Sequence, residues 1–243
     1  MNDHREDVIN NFTKYSIGLD DVFAFKCRGC GKCCKNREDI LLNPRDIFNI
    51  ATALKLTNEQ AISRHCEYYI GRDSRMPILR LKPVGANYVC PLLSGNKCTV
   101  HSLKPTVCAA FPLGRVAVSE EAIKQGMLDA EQFSPNKIHY IRHTTSCGSA
   151  KRKQTVRAWL EMFNVSIDDT FFLHWNKTIM SLCTTMRQVE EKTKGFPQEL
   201  EMLWGCMFTS LYVDYDTQKE FYPQYEANIS KICGLLDKLQ AMM

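Results

Sequence analysis

The sequence lacks any long hydrophobic run. No segment reaches the roughly 18 apolar residues that a membrane-crossing helix needs, and the opening Met1-Asn2-Asp3-His4-Arg5-Glu6-Asp7 is polar, unlike a secretory leader. There is no G-x-G-x-x-G after a strand, no P-loop and no nucleophile elbow, so nucleotide, phosphoryl-transfer and α/β-hydrolase chemistry have no legible signature. Repeats, low-complexity tracts and long Gly/Ser linkers are missing too. Charge of one sign is barely in excess: the net charge is +4, too little to argue for nucleic acid. Bound thiolates would shrink it further. These absences predict a cytoplasmic protein with neither a membrane nor a nucleic acid as partner. An unidentified protein or small-molecule substrate remains.

What the chain does have is cysteine. Twelve cysteines in 243 residues, in a compartment that keeps thiols reduced, point to metal binding rather than to a disulfide framework. Four fall in one run, Cys27-Arg28-Gly29-Cys30-Gly31-Lys32-Cys33-Cys34. The glycines in two of its spacers let the backbone turn and aim N–H groups at the sulfurs.

Element signals divide the rest. Val8, Ile9, Phe12 and Tyr15 suggest a short amphipathic helix within residues 1–20. Asp39–Leu42 reads as β. Asn43-Pro44 opens a helix to about Leu54, and Thr57–Gln60 caps a second that runs towards Tyr69. Short extended pieces follow at Ile78–Leu81, Tyr88–Cys90, Phe111–Val118 and Ile138–His143. Helices are expected over Lys151–Phe163, after a Ser166–Asp169 capping box, over Pro197–Tyr212, and from Phe221 to the end, the last entered through Thr217 and Glu220. The predicted class is α+β and mostly helical. A loop-rich cysteine-cluster module with short strands, residues 1–150, is closed by a helical region, 151–243, packed on it as one structural unit.

Not every cysteine is a candidate ligand. Cys66, in a predicted helix, and Cys183, Cys206 and Cys233, in the helical region, read as small buried hydrophobes. Cys27, Cys30, Cys33, Cys34, Cys90, Cys98, Cys108 and Cys147 lie in loops beside Gly or Pro and are the candidate metal ligands. Adjacent residues in an extended or turn segment tend to point apart, so Cys33 and Cys34 suggest two partners, or two edges of one cluster. Cys27, Cys30 and Cys33 imitate the three-cysteine arc of bacterial ferredoxins, with Cys90-Pro91 as the remote fourth ligand. That reading favours an iron–sulfur cluster, 4Fe–4S by ligand count. The alternative is zinc, in two tetrahedral sites sharing eight sulfurs.

The ordered motifs Phe25-Lys26-Cys27-x-x-Cys30-Gly31-x-Cys33-Cys34, Leu41–Ile47, Cys90-Pro91-Leu92-Leu93, Cys98-Thr99-Val100-His101 and Lys104-Pro105-x-x-Cys108-x-x-Phe111-Pro112 resemble the YkgJ-type CxxCxxCC cysteine-cluster family, a zinc- or iron-chelating domain. The likeness covers roughly residues 25–148. Val100-His101 and Lys104-Pro105 depart from the family's usual Ile-Tyr and Arg-Pro, which makes His101 a possible extra ligand beside its plainer reading as a loop histidine. A more distant likeness to flagellin lysine-N-methylase, whose cysteine run is spaced differently, implies an iron–sulfur-dependent N-methylation.

His139 and His143 share a face whether that segment is helix or strand. They read first as ordinary edge histidines and second as supports for a site at Cys147. His174 belongs to an aromatic stripe with Phe171, Phe172 and Trp175 that reads as core. Lys151-Arg152-Lys153 is a solvated turn or an attractor for an anion. The expected function is metal chelation, with an iron–sulfur cluster used for redox or substrate binding. The alternatives are a zinc-stabilised scaffold and a methylase-like enzyme.

Overall fold

The computed structural model describes residues 12–124, 133–192 and 197–242, and the fold is α+β. The chain forms two compact units and enters each twice. One gathers residues up to Lys32 with Thr106–Asn176; the other gathers Cys33–Pro105 with the chain from Lys177 on. A division by composition near residue 150 and this division by contacts cut the same chain differently.

In the first unit, Ser16–Ile17, Ile138–Arg142 and Leu113–Ala117 form an antiparallel three-stranded sheet with Ile138–Arg142 in the centre. The described part of the N-terminal helix is short, Phe12–Tyr15, because the chain then pairs as a strand, Ser16 with Ile141 and Ile17 with Tyr140. Val8 and Ile9 lie outside the described residues.

A second antiparallel pair joins Val22–Lys26 to Ser149–Thr155, with a register shift between Ser149 and Lys153. This corrects the helix expected from Lys151. Lys153, Gln154 and Thr155 pair with Ala24, Phe23 and Val22, and the helix waits until Val156–Met162, where the Thr155 side chain accepts the Ala158 N–H. Lys151-Arg152-Lys153 therefore lies in a strand. Phe23, Phe25, Leu113, Trp159 and Leu160 form the core here. Gln154 Nε2 donates to the Phe25 carbonyl at 2.8 Å and Trp159 Nε1 to the Ala110 carbonyl at 3.0 Å, which satisfies polar groups that burial would otherwise penalise.

In the second unit the helix caps stand where the sequence puts them. Asn43 accepts the Asp46 N–H while Asp46 accepts the Asn43 N–H, with Pro44 in the first turn of Pro44–Leu54. Thr57 and Gln60 do the same for Asn58–His65. That helix stops at His65 because Cys66–Ile70 pairs with Pro77–Leu81, which also pairs with Leu41–Leu42. Aromatic Tyr68 and Tyr69 suit a strand better than a last helical turn, so Cys66 opens a strand. Of Tyr88–Cys90, only Val89 forms a β-bridge, to Val84. Cys90 leads into the hairpin of Leu93–Ser94 and Lys97–Cys98.

The helix Pro197–Phe208 leads through a π-helical turn at Thr209–Val213 to the last helix, Phe221–Met242, and polar bonds tie the first helix and the turn to the rest of this unit. Asn58 Nδ2 donates to the Tyr212 carbonyl at 2.9 Å, Trp204 Nε1 to the Arg75 carbonyl at 2.9 Å, and Tyr212 OH to the Pro77 carbonyl at 3.3 Å. Ile47, Ile50, Leu79, Met186, Met207, Leu211 and Tyr225 are buried.

The helix Thr170–Lys192 starts at Asp169, whose carboxylate accepts the Phe172 N–H at 3.2 Å; Ser166 instead takes the Asp168 N–H. At the entrance to the last helix, Gln224 bridges the Asp216 N–H and the Glu220 carbonyl. Among the described residues, no helix is long and apolar enough to cross a membrane.

Candidate metal centre

The cysteine run turns where its glycines allow: Gly29 and Gly31 hold φ at +61° and +66°. The Gly29 N–H donates to Cys27 Sγ at 3.5 Å. The Lys32 N–H holds the Cys30 thiol below its ordinary value; burial opposes it, and the Cys147 thiol and the Gly148 N–H add to it. Backbone donors aimed at sulfur favour the thiolate, the form that binds metal. Cys30 Sγ and Cys147 Sγ lie 3.7 Å apart. Cys108, on the short helix Thr106–Ala110, belongs to the same unit.

Cys147 is positioned by its neighbours. Thr145 Oγ1 accepts the Cys147 N–H at 3.0 Å. Gly148 follows at φ +78°, and a Cβ there would lie 2.3 Å from a Phe25 ring carbon. Glycine is needed on both counts.

The remaining four thiols fall in the second unit. Lys32–Cys34 is a 3₁₀ turn, so Cys33 and Cys34 are not splayed as an extended pair would be; their sulfurs lie 3.9 Å apart. This corrects the expectation that the two adjacent side chains point apart. The Cys34 carbonyl accepts the Cys90 N–H at 2.8 Å, and the Asn87 carbonyl accepts the Asn36 N–H at 3.0 Å. The Cys90 carbonyl in turn accepts the Leu93 N–H at 3.0 Å, which starts the hairpin ending at Cys98. Burial pushes the Cys90 thiol up, the Leu92 N–H pulls it down, and the Cys98 and Cys33 thiols raise it. Thiolates that raise one another in this way become stable together when a cation neutralises them.

Two thiolates on one tetrahedral ion, at a metal–sulfur bond of about 2.3 Å, stand about 3.8 Å apart. The pairs at 3.7 and 3.9 Å fit that edge. Among the described residues no three histidine, cysteine, aspartate or glutamate side chains converge on one point.

The other four cysteines divide. Cys66 is buried, and burial, with the Cys90 thiol adding to it, pushes it up to about 12, so it stays a neutral thiol beside the set. Cys183 is buried as expected, but Cys206 and Cys233 are exposed. His101 is exposed in a 3₁₀ turn. His139 Nε2 lies 2.8 Å from the Ser134 carbonyl, and its ring stands edge-on to Phe133. His174 is exposed while Phe171 is buried, so the aromatic stripe leaves the histidine outside.

The family model "CxxCxxCC: Putative zinc- or iron-chelating domain" matches residues 26–147, about half of the chain. The chain belongs to that family. All eight candidate cysteines fall inside the matched CxxCxxCC domain, while Cys183, Cys206 and Cys233 fall outside it. A protein of Methanocaldococcus jannaschii, titled as uncharacterized, is 25% identical over 103 residues, covering 42% of this chain and 52% of its own length. The chain thus spans about half the length of this relative. No solved structure matches it.

Two features of the CxxCxxCC domain's surroundings escape sequence reasoning. One is the Arg115–Asp169 ion pair at 2.9 Å, nearly closed to solvent. The other is a cleft beside Cys147, which Lys14 and Arg142 line. Neither has a local motif, since their members come from distant segments.

Proposed function

We propose that the chain holds two tetrahedral thiolate centres, one in each unit, that bind zinc and stabilise a loop-rich binding module. Cys27, Cys30, Cys108 and Cys147 would hold one ion; Cys33, Cys34, Cys90 and Cys98 would hold the other. The carrying observation is the spacing of the sulfur pairs, 3.7 Å for Cys30–Cys147 and 3.9 Å for Cys33–Cys34. Two thiolates on one ion stand at that separation. A 4Fe–4S cluster takes one thiolate per iron, which spreads its ligands further apart. The zinc alternative is therefore favoured over the iron–sulfur cluster that the ferredoxin-like spacing suggests.

Each bound ion supplies positive charge to mutually repelling thiolates and cross-links loops that have little apolar core of their own. The redox and lysine N-methylation readings both need an iron–sulfur cluster, so one measurement separates the zinc reading from both. Protein purified without oxygen should be colourless and carry about two zinc ions per chain by elemental analysis. Brown protein with iron and acid-labile sulfide would overturn the proposal and restore the iron–sulfur reading.

A further inference from the structure

A cleft of about 720 Å³ opens in the first unit, within the range of small-molecule sites. Three of its lining side chains carry or can carry positive charge, Lys14, Arg142 and His143, and among the described residues no acidic one lines it. Ile17, Phe25 and Pro112 give it an apolar wall, while Thr144, Ser146 and Ser149 bring hydroxyls. Cys147 lies in the same lining.

The cationic end is built by the sheet. Ser16 pairs with Ile141, which brings Lys14 and Tyr15, just before Ser16, alongside Arg142 and His143, just after Ile141. The His143 N–H donates to the Pro112 carbonyl at 3.0 Å. Its imidazole occupies a notch over Gly114, where a Cβ would lie 2.8 Å from His143 Nε2. A side chain at residue 114 would crowd this ring and the Ile141 side chain alike.

We propose that this cleft binds a small anionic molecule, with its carboxylate or phosphate held by Lys14, Arg142 and His143 and its body along Phe25 towards Cys147. The ligand class follows from charge. Two fixed cations and an imidazole, with no carboxylate among the described lining residues, attract an anion, and the hydroxyls complete its hydrogen bonds. Simple counter-charge for thiolates would explain the cations, but it needs neither a cavity of this size nor a row of hydroxyls. The site adjoins the Cys30–Cys147 pair and so deepens the metal-binding reading, on which its relation to a metal rests.

Calorimetric titration of the as-purified protein with pyrophosphate and, separately, with citrate tests this. One saturable site is expected for at least one probe, and the tighter of the two identifies phosphate or carboxylate as the preferred head. Arg142→Ala and Lys14→Ala should each weaken it at least tenfold, and Gly114→Ala should weaken it without removing a charge. Lys238→Ala, in the second unit, should leave it unchanged. Metal content is measured on every sample. Full metal with no saturable binding of either probe overturns the cleft alone, as does equal binding by wild type and Arg142→Ala. Binding with a metal content other than two zinc ions overturns the zinc proposal and leaves the cleft standing.

Discussion

At the scale of single residues, backbone geometry and burial decide most. Gly148 holds φ at +78° with the Phe25 ring where a Cβ would go. Gly148→Ala adds a left-handed alanine and an overlap with a core ring, together worth about 2–4 kcal/mol. A denaturation midpoint shifted by less than the width of error would refute this. The variant should also lose metal from the Cys147 site. Tyr212 supplies a different test. It is buried, and burial pushes its phenol above the ordinary value, opposed by the Leu79 backbone. Above pH of about 10 the unfolded chain releases this proton and the folded chain does not. Stability is therefore fully present below that pH and is lost as pH rises beyond it. Tyr212→Phe should cost about 1 kcal/mol at neutral pH, from the bond to Pro77, and should give a shallower alkaline decline. Tyr215 and Tyr225, raised by the same cause, keep part of the decline in place. An unchanged slope in chemical denaturation above pH 10 would count against the assignment.

At the scale of elements, Asp169 joins two tasks. Its carboxylate caps the helix Thr170–Lys192 and pairs with Arg115, whose guanidinium lies 4.2 Å from the Phe172 ring centroid. Asp169→Asn keeps a capping oxygen but leaves the guanidinium nearly buried without its counter-charge, a loss of about 3–5 kcal/mol. Asp169→Ala should cost more, by about 1 kcal/mol for the cap. Equal melting temperatures for the two variants would show that the cap contributes nothing. These elements also show what a sequence can reveal. Asn43 with Asp46, and Thr57 with Gln60, are legible because a cap is complete within four residues. The strand Ser149–Thr155 is not, because its identity depends on Val22–Lys26, more than a hundred residues away. Helical periodicity in Lys151–Phe163 is satisfied only from Val156 on, so a local pattern was stretched over a partner-dependent strand. The helix expected to run towards Tyr69 gives way to the strand Cys66–Ile70 for the same reason: its pairing with Pro77–Leu81 is invisible in its own five residues.

At the scale of the whole molecule, the eight candidate thiols stand out in the sequence because four form one run and Cys90 and Cys147 adjoin Pro91 and Gly148, but their partition does not. Spacing alone favours an arc of Cys27, Cys30 and Cys33. The compact units instead part the run between Lys32 and Cys33, with Cys108 and Cys147 on one side and Cys90 and Cys98 on the other. That parting depends on which distant segments return, and no local rule encodes it. It has a stoichiometric consequence. If each unit holds its own ion, Cys30→Ser should remove about half of the zinc, Cys90→Ser the other half, and the double variant nearly all, since loss of one of four thiolates opens a closed site. Cys233→Ser, on an exposed helix face, should retain both ions. Two ions per chain falling to none in either single variant would mean that the eight sulfurs serve one shared centre, and Cys30→Ser and Cys90→Ser would then be indistinguishable by metal content as well as by stability.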